Sequence, residues 1–86
     1  MPNDGRKEGT MNKQRRKSID EVRAKLEELL ADLETLKDEE EEAFDNLPES
    51  LQESERGQAM SDAVESLDLA TYSLQEVINN LEEATQ

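Results

Sequence analysis

The side chains best equipped for chemistry are carboxylates: 23 Asp and Glu stand against 10 Lys and Arg, a formal net charge of −13, with no histidine or cysteine. Acids do chemistry by holding a divalent cation or by passing a proton. Each task needs carboxylates brought together in a preset geometry or with a shifted pKa. The densest run is Asp38, Glu39, Glu40, Glu41 and Glu42, with Asp45 a turn beyond. It lacks the Asp-x-Asp-x-Asp-Gly turn of a calcium loop, which leaves weak, diffuse cation binding at most. Without histidine there is no imidazole base and no Glu-x-x-His pair of a di-iron bundle. Without cysteine there is no thiol nucleophile, disulfide or thiolate zinc site. Phosphate loops, Walker patterns and nucleophile elbows are absent as well. The expectation is a protein that is not an enzyme and uses no metal or cofactor.

The elements that carry these acids are two amphipathic helices. In the second, about 54–84, Met60, Leu67, Leu74 and Leu81 recur every seven residues. Ala63, Ala70, Val77 and Ala84 fall three after each, and Val64 and Ile78 widen the stripe. Ser54 is a good N-cap for it, and Gly57 reads as a glycine tolerated at a helix start. The first helix, about 18–46, is predicted to start at the capping box Ser18-Ile19-Asp20-Glu21. Its seam is read as Ile19, Val22, Leu26, Leu29, Leu33 and Leu36, with Leu30 beside it and a weak continuation through Ala43 to Leu47. Glu40 takes a seam place, read as a residue at the bundle end reaching water. Pro48 ends the helix, so 47–53 is a turn or one loose helical turn, with Leu47, Leu51 and Phe44 folding over the bundle end.

Charge divides the chain. Up to Ser18 there are six bases and two acids, and from Ile19 onward four bases and 21 acids. Residues 1–17 are expected to form a disordered basic arm and 18–86 the helical unit. Met11 opens MNKQRRK like a second start, which sets residues 1–10 aside from the fold. Lys13, Arg15, Arg16 and Lys17 read as a solubilising or pairing arm rather than a nucleic-acid site. The acidic body disfavours direct contact with nucleic acid or an anionic membrane. No apolar run approaches the roughly 20 residues of a membrane span, and a cytoplasmic protein is expected.

The fold class follows: all-α, two long antiparallel helices in a hairpin. A hairpin alone leaves its apolar stripes half exposed, so assembly of two hairpins into a four-helix bundle dimer is expected. Its contacts are assigned to Met60, Ala63, Val64, Leu67, Ala70, Leu74, Val77, Ile78 and Leu81, and to Leu26, Leu29, Leu33 and Leu36. Leu69 and Tyr72 lie off the seam. Asp38, Glu39, Glu41, Glu42 and Asp45 are the acids that a partner protein could meet.

The stretch FDNLPESLQESERGQAM at 44–60, followed by SLDLA and NNLEEA, resembles small acidic helical proteins of phages and integrated elements of low-GC Gram-positive bacteria. The resemblance runs from Met11 to Glu83 and is most specific in NLPESLQESERG, 46–57. That group has no assigned activity, so it implies a setting, an accessory product of a mobile element, and carries over no site residue. Two functions remain in view. One is a self-associating interaction protein. The other is an acidic DNA mimic that inhibits a host nucleic-acid-binding or defence protein.

Overall fold

A computed structural model describes residues 12–86, and all its regular structure is helical. Helix α1 spans Lys13–Asp45, α2 is the single turn Glu49–Gln52, and α3 spans Glu55–Ala84. Helices α1 and α3 pack along their length as an antiparallel hairpin. The expected disorder of residues 1–11 lies outside the described residues.

The first helix starts five residues before the expected place. Asn12 is its N-cap, with the side-chain oxygen accepting from the Arg15 backbone N–H at 2.7 Å. Ser18 is interior and the predicted capping box is not used. Lys13 to Lys17, expected in a disordered arm, are helical instead. The reason is local: Lys, Gln and Arg are good helix formers, and Asn12 caps as well as serine does.

At the other end, the Asn46 N–H bonds the Glu42 carbonyl at 3.0 Å, and Pro48 precedes α2. The Gln52 side-chain amide donates to the carbonyls of Phe44 at 3.1 Å and Leu47 at 3.2 Å, tying α2 to the end of α1. Ser54 then caps α3 as expected, accepting from the Gly57 N–H at 3.3 Å. Gly57 is more than tolerated. It is buried, and a Cβ there would collide with the main-chain carbonyls of Leu51 and Gln52. Only glycine lets α3 pass so close to α2.

Apart from Asp20, Ser61 and Ala63, which border it, the buried and half-buried residues of α1 and α3 trace the seam. On α1 they run Arg16, Ile19, Arg23, Leu26, Leu30, Leu33, Lys37, Glu40 and Phe44, and continue to Leu47. On α3 they run Gly57, Met60, Val64, Leu67, Thr71, Leu74, Ile78 and Leu81, and continue to Thr85. Both sets alternate three- and four-residue steps, the signature of coiled-coil packing. Leu30 belongs to the seam, and Val22, Leu29 and Leu36 do not. The three are 49%, 53% and 51% exposed. The core is thin: α1 has no buried residue, and Ile78 is the one buried hydrophobic among the described residues.

Candidate functional site: a two-sided rod

Two further rows with a seven-residue period lie just off the seam. On α1 they are Val22, Leu29, Leu36 and Ala43, each one residue before a seam position at 23, 30, 37 or 44. On α3 they are Ala63, Ala70, Val77 and Ala84, each one before 64, 71, 78 or 85. The antiparallel helices are related by a local twofold axis perpendicular to the hairpin plane. An equal offset from the seam therefore lands on the same side of the hairpin. The eight residues form one apolar face. Seven are exposed, and Ala63 is half-buried.

The same geometry builds the opposite side. Positions one after the other seam set are Asp20, Glu27, Glu34 and Glu41 on α1, and Ser61, Asp68, Gln75 and Glu82 on α3. Six of these eight are acids, so the rod has an apolar side and an acidic side. Two of the seam bases, Lys37 and Arg23, turn toward the acids. Lys37 Nζ bonds Asp68 Oδ1 at 3.2 Å, and Arg23 reaches Glu27 at 3.2 Å and Asp20 at 3.7 Å. The hydrogen bond that Lys37 donates to Asp68, together with the Asp68 charge, raises the Lys37 pKa above the ordinary lysine value. Desolvation opposes the rise, and the charges of Asp38 and Glu41 add to it by less.

The residues assigned to self-association therefore split. Met60, Val64, Leu67, Leu74, Ile78, Leu81, Leu26 and Leu33 line the seam within one hairpin, with Ile78 buried and the rest half-buried. Leu29, Leu36, Ala70 and Val77 are exposed on the apolar side, and Ala63 is half-buried on the same row. Sequence reasoning merged two stripes into one on each helix. The signal that separates them is the turn end. Phe44 and Leu47 continue the series through Leu30 and Leu33, not the one through Leu29 and Leu36.

Asp38, Glu39, Glu41, Glu42 and Asp45 are all exposed, and all but Glu39 line one shallow depression at the end of α1. Glu40 is half-buried on the seam. Among the described residues no group of three or more acids is placed to hold a metal ion, and no helix is long and apolar enough to cross a membrane. Leu69 and Tyr72 are 67% and 66% exposed, away from the apolar face. Thr71, which the sequence did not single out, is buried in the seam, its hydroxyl donating to the Asp68 carbonyl at 2.8 Å. That local bond lets a polar residue take a core place without an unmet partner.

No protein family, curated protein or solved structure matches this chain.

Proposed function

We propose that the protein is a non-enzymatic, self-associating helical protein whose hairpins dimerise through the apolar side into a four-helix bundle. The observation behind this reading is the row pair Val22, Leu29, Leu36, Ala43 and Ala63, Ala70, Val77, Ala84, aligned on one side of a rod whose opposite side is acidic. Isolated exposed apolar residues are ordinary, but a continuous stripe with a helical period marks a contact surface. In cells this bundle acts as an accessory or interaction protein. The resemblance of residues 46–57 to proteins of phages and integrated elements supports a mobile-element setting, in which a host protein would be the hetero-partner.

Light scattering coupled to size exclusion, at low and high salt, tests the reading. A dimer at both salts is expected, because apolar burial holds it. The double variant Leu29→Gln, Leu36→Gln is expected to be monomeric, whereas Leu74→Asp, in the seam, is expected to lose both association and most of its helicity. A wild-type monomer at both salts would overturn the proposal. So would a Leu74→Asp variant of native size and helicity.

A second reading has its own support in the acidic side. Asp20, Glu27, Glu34 and Glu41 step along α1 at about 10.5 Å intervals, a regular array of negative charge. Such a row suits a DNA mimic that occupies the groove of a basic host protein. Its binding to a basic nuclease is expected to weaken with salt, and salt-insensitive capture or none at all counts against it.

A further inference from the structure

The apolar side accepts a second hairpin in two orientations, with the turns of the two copies at the same end or at opposite ends. Both cover the face, so apolar burial does not choose between them. Charge does. Residues 12–31 and 73–86, the open half of the rod, carry six bases and seven acids. Residues 32–72, the turn half, carry two bases and 14 acids. Turns at the same end would stack two halves of charge −12 upon each other. With turns at opposite ends, each such half lies over the nearly neutral half of the other copy.

We infer that the occupant of the apolar face is a second copy of this chain, related by a twofold axis perpendicular to the rods, with the two turns at opposite ends. This rests on the self-association proposed above and specifies its geometry. The Lys37–Asp68 contact fits one antiparallel register of the seam, which puts Lys37 level with Leu67 and Leu26 with Ile78. In that register the midpoint of the α3 row, between Ser73 and Leu74, lies within about two residues, roughly 3 Å, of the midpoint of the α1 row beside Asp32. One axis therefore serves both rows. It sets α1 against the other α1, Leu29 facing Leu36, and α3 against the other α3, Ala63 facing Ala84 and Ala70 facing Val77. On the rim of α1 it brings Lys25 near Glu39 of the second copy, twice by symmetry.

Along α3 the positions flanking the alanine row are Ala59, Ser66, Ser73 and Asn80, small and uncharged, so the two α3 helices can approach closely. The shared face is roughly 30 Å long and 20 Å wide. About 600 Å² from each copy, 1,200 Å² in total, reaches the lower end of stable specific interfaces.

The chain has no cysteine, so single introduced thiols report the orientation directly. Ser73→Cys sits beside the axis and is expected to form a disulfide with its own copy in a glutathione buffer. The rate should run roughly a thousandfold ahead of collision at micromolar protein, as an effective concentration near millimolar implies. Ala63→Cys and Ala84→Cys are each expected to stay unlinked alone and to link to each other when mixed. Light scattering on the same samples separates the outcomes. A dimer in which Ser73→Cys stays reduced, or in which Ala63→Cys links instead to Ala43→Cys, overturns the opposite-end geometry and leaves self-association standing. A monomer overturns both.

Discussion

Replacing Gly57 with alanine gives opposite results under local and tertiary reasoning. Judged by helix propensity alone, Gly57→Ala gains up to about 1 kcal/mol, less this close to the start of α3. In the structure the new methyl would meet the main-chain carbonyls of Leu51 and Gln52, not the flexible end of a side chain. Main chain yields only if α2 moves as a unit, and α2 is tied to α1 by the two Gln52 bonds to Phe44 and Leu47. Overpacking a site of this kind costs about 1–3 kcal/mol. The net expectation is a loss of about 1–2 kcal/mol, or a fall in Tm of roughly 5–15 °C for a chain of this size. The assay is thermal unfolding followed by far-ultraviolet circular dichroism, at one fixed protomer concentration because association shifts Tm. Ala59→Gly, two residues on and exposed, is the control, expected to lose only the propensity difference. A Gly57→Ala protein that melts at or above wild type would refute the close approach of α3 to α2.

Two other substitutions read out the helix start and the cross-helix ion pair. Asn12→Ala is expected to cost about 1 kcal/mol and to speed amide exchange at Arg15, while Ser18→Ala is expected to be neutral or slightly stabilising; the reverse pattern would restore the Ser18 capping box. Lys37 has a raised pKa in the folded chain, so its contribution is fully present below the unfolded lysine value of about 10.4 and is lost as pH rises through the higher folded value. Helicity melts from pH 8 to 11.5 should therefore show wild type losing more than Lys37→Met over the upper part of that window. Parallel curves would mean that the Asp68 contact does not couple to folding.

Much of α3 was legible in the sequence because its signals are local and agree. Ser54, the acid at Glu55 and a long apolar period all point to one helix, and its start and end stand where they were expected. Pro48 marked the turn for the same reason. The start of α1 was not legible, since Asn12 and Ser18 are both competent caps and the basic residues between them carry no helix breaker. The phase of the α1 seam was hidden for a different reason. Leu29 and Leu30, like Leu36 and Lys37, are neighbours on two parallel stripes, and hydropathy favours the wrong stripe because the right one contains Arg23 and Lys37. In the sequence only Phe44 at the turn end points to the right stripe; the opposing helix selects it through Leu67, Leu74 and Leu81, level with Lys37, Leu30 and Arg23. The candidate contact face stayed merged with the core until that selection was made.

The polar interruptions of the seam bear on the outer face too. Lys37 and Arg23 could each be replaced by leucine with a gain in buried apolar area, yet both send their charge to the acidic side, against Asp68, Glu27 and Asp20. An exposed ion pair adds little to stability in itself. Lys37 and Asp68 add to register: their contact forms at one relative height of α1 and α3, the height that the turn at Gln52 and Gly57 also sets, and a slip by a heptad would break both. Register within the hairpin decides whether the two apolar rows share a midpoint. A slip of seven residues would move the rows about 10 Å apart along the rod, and no single twofold axis would then serve both. The seam thus trades apolar burial for a fixed height between helices, and a dimer face built from both helices depends on that height.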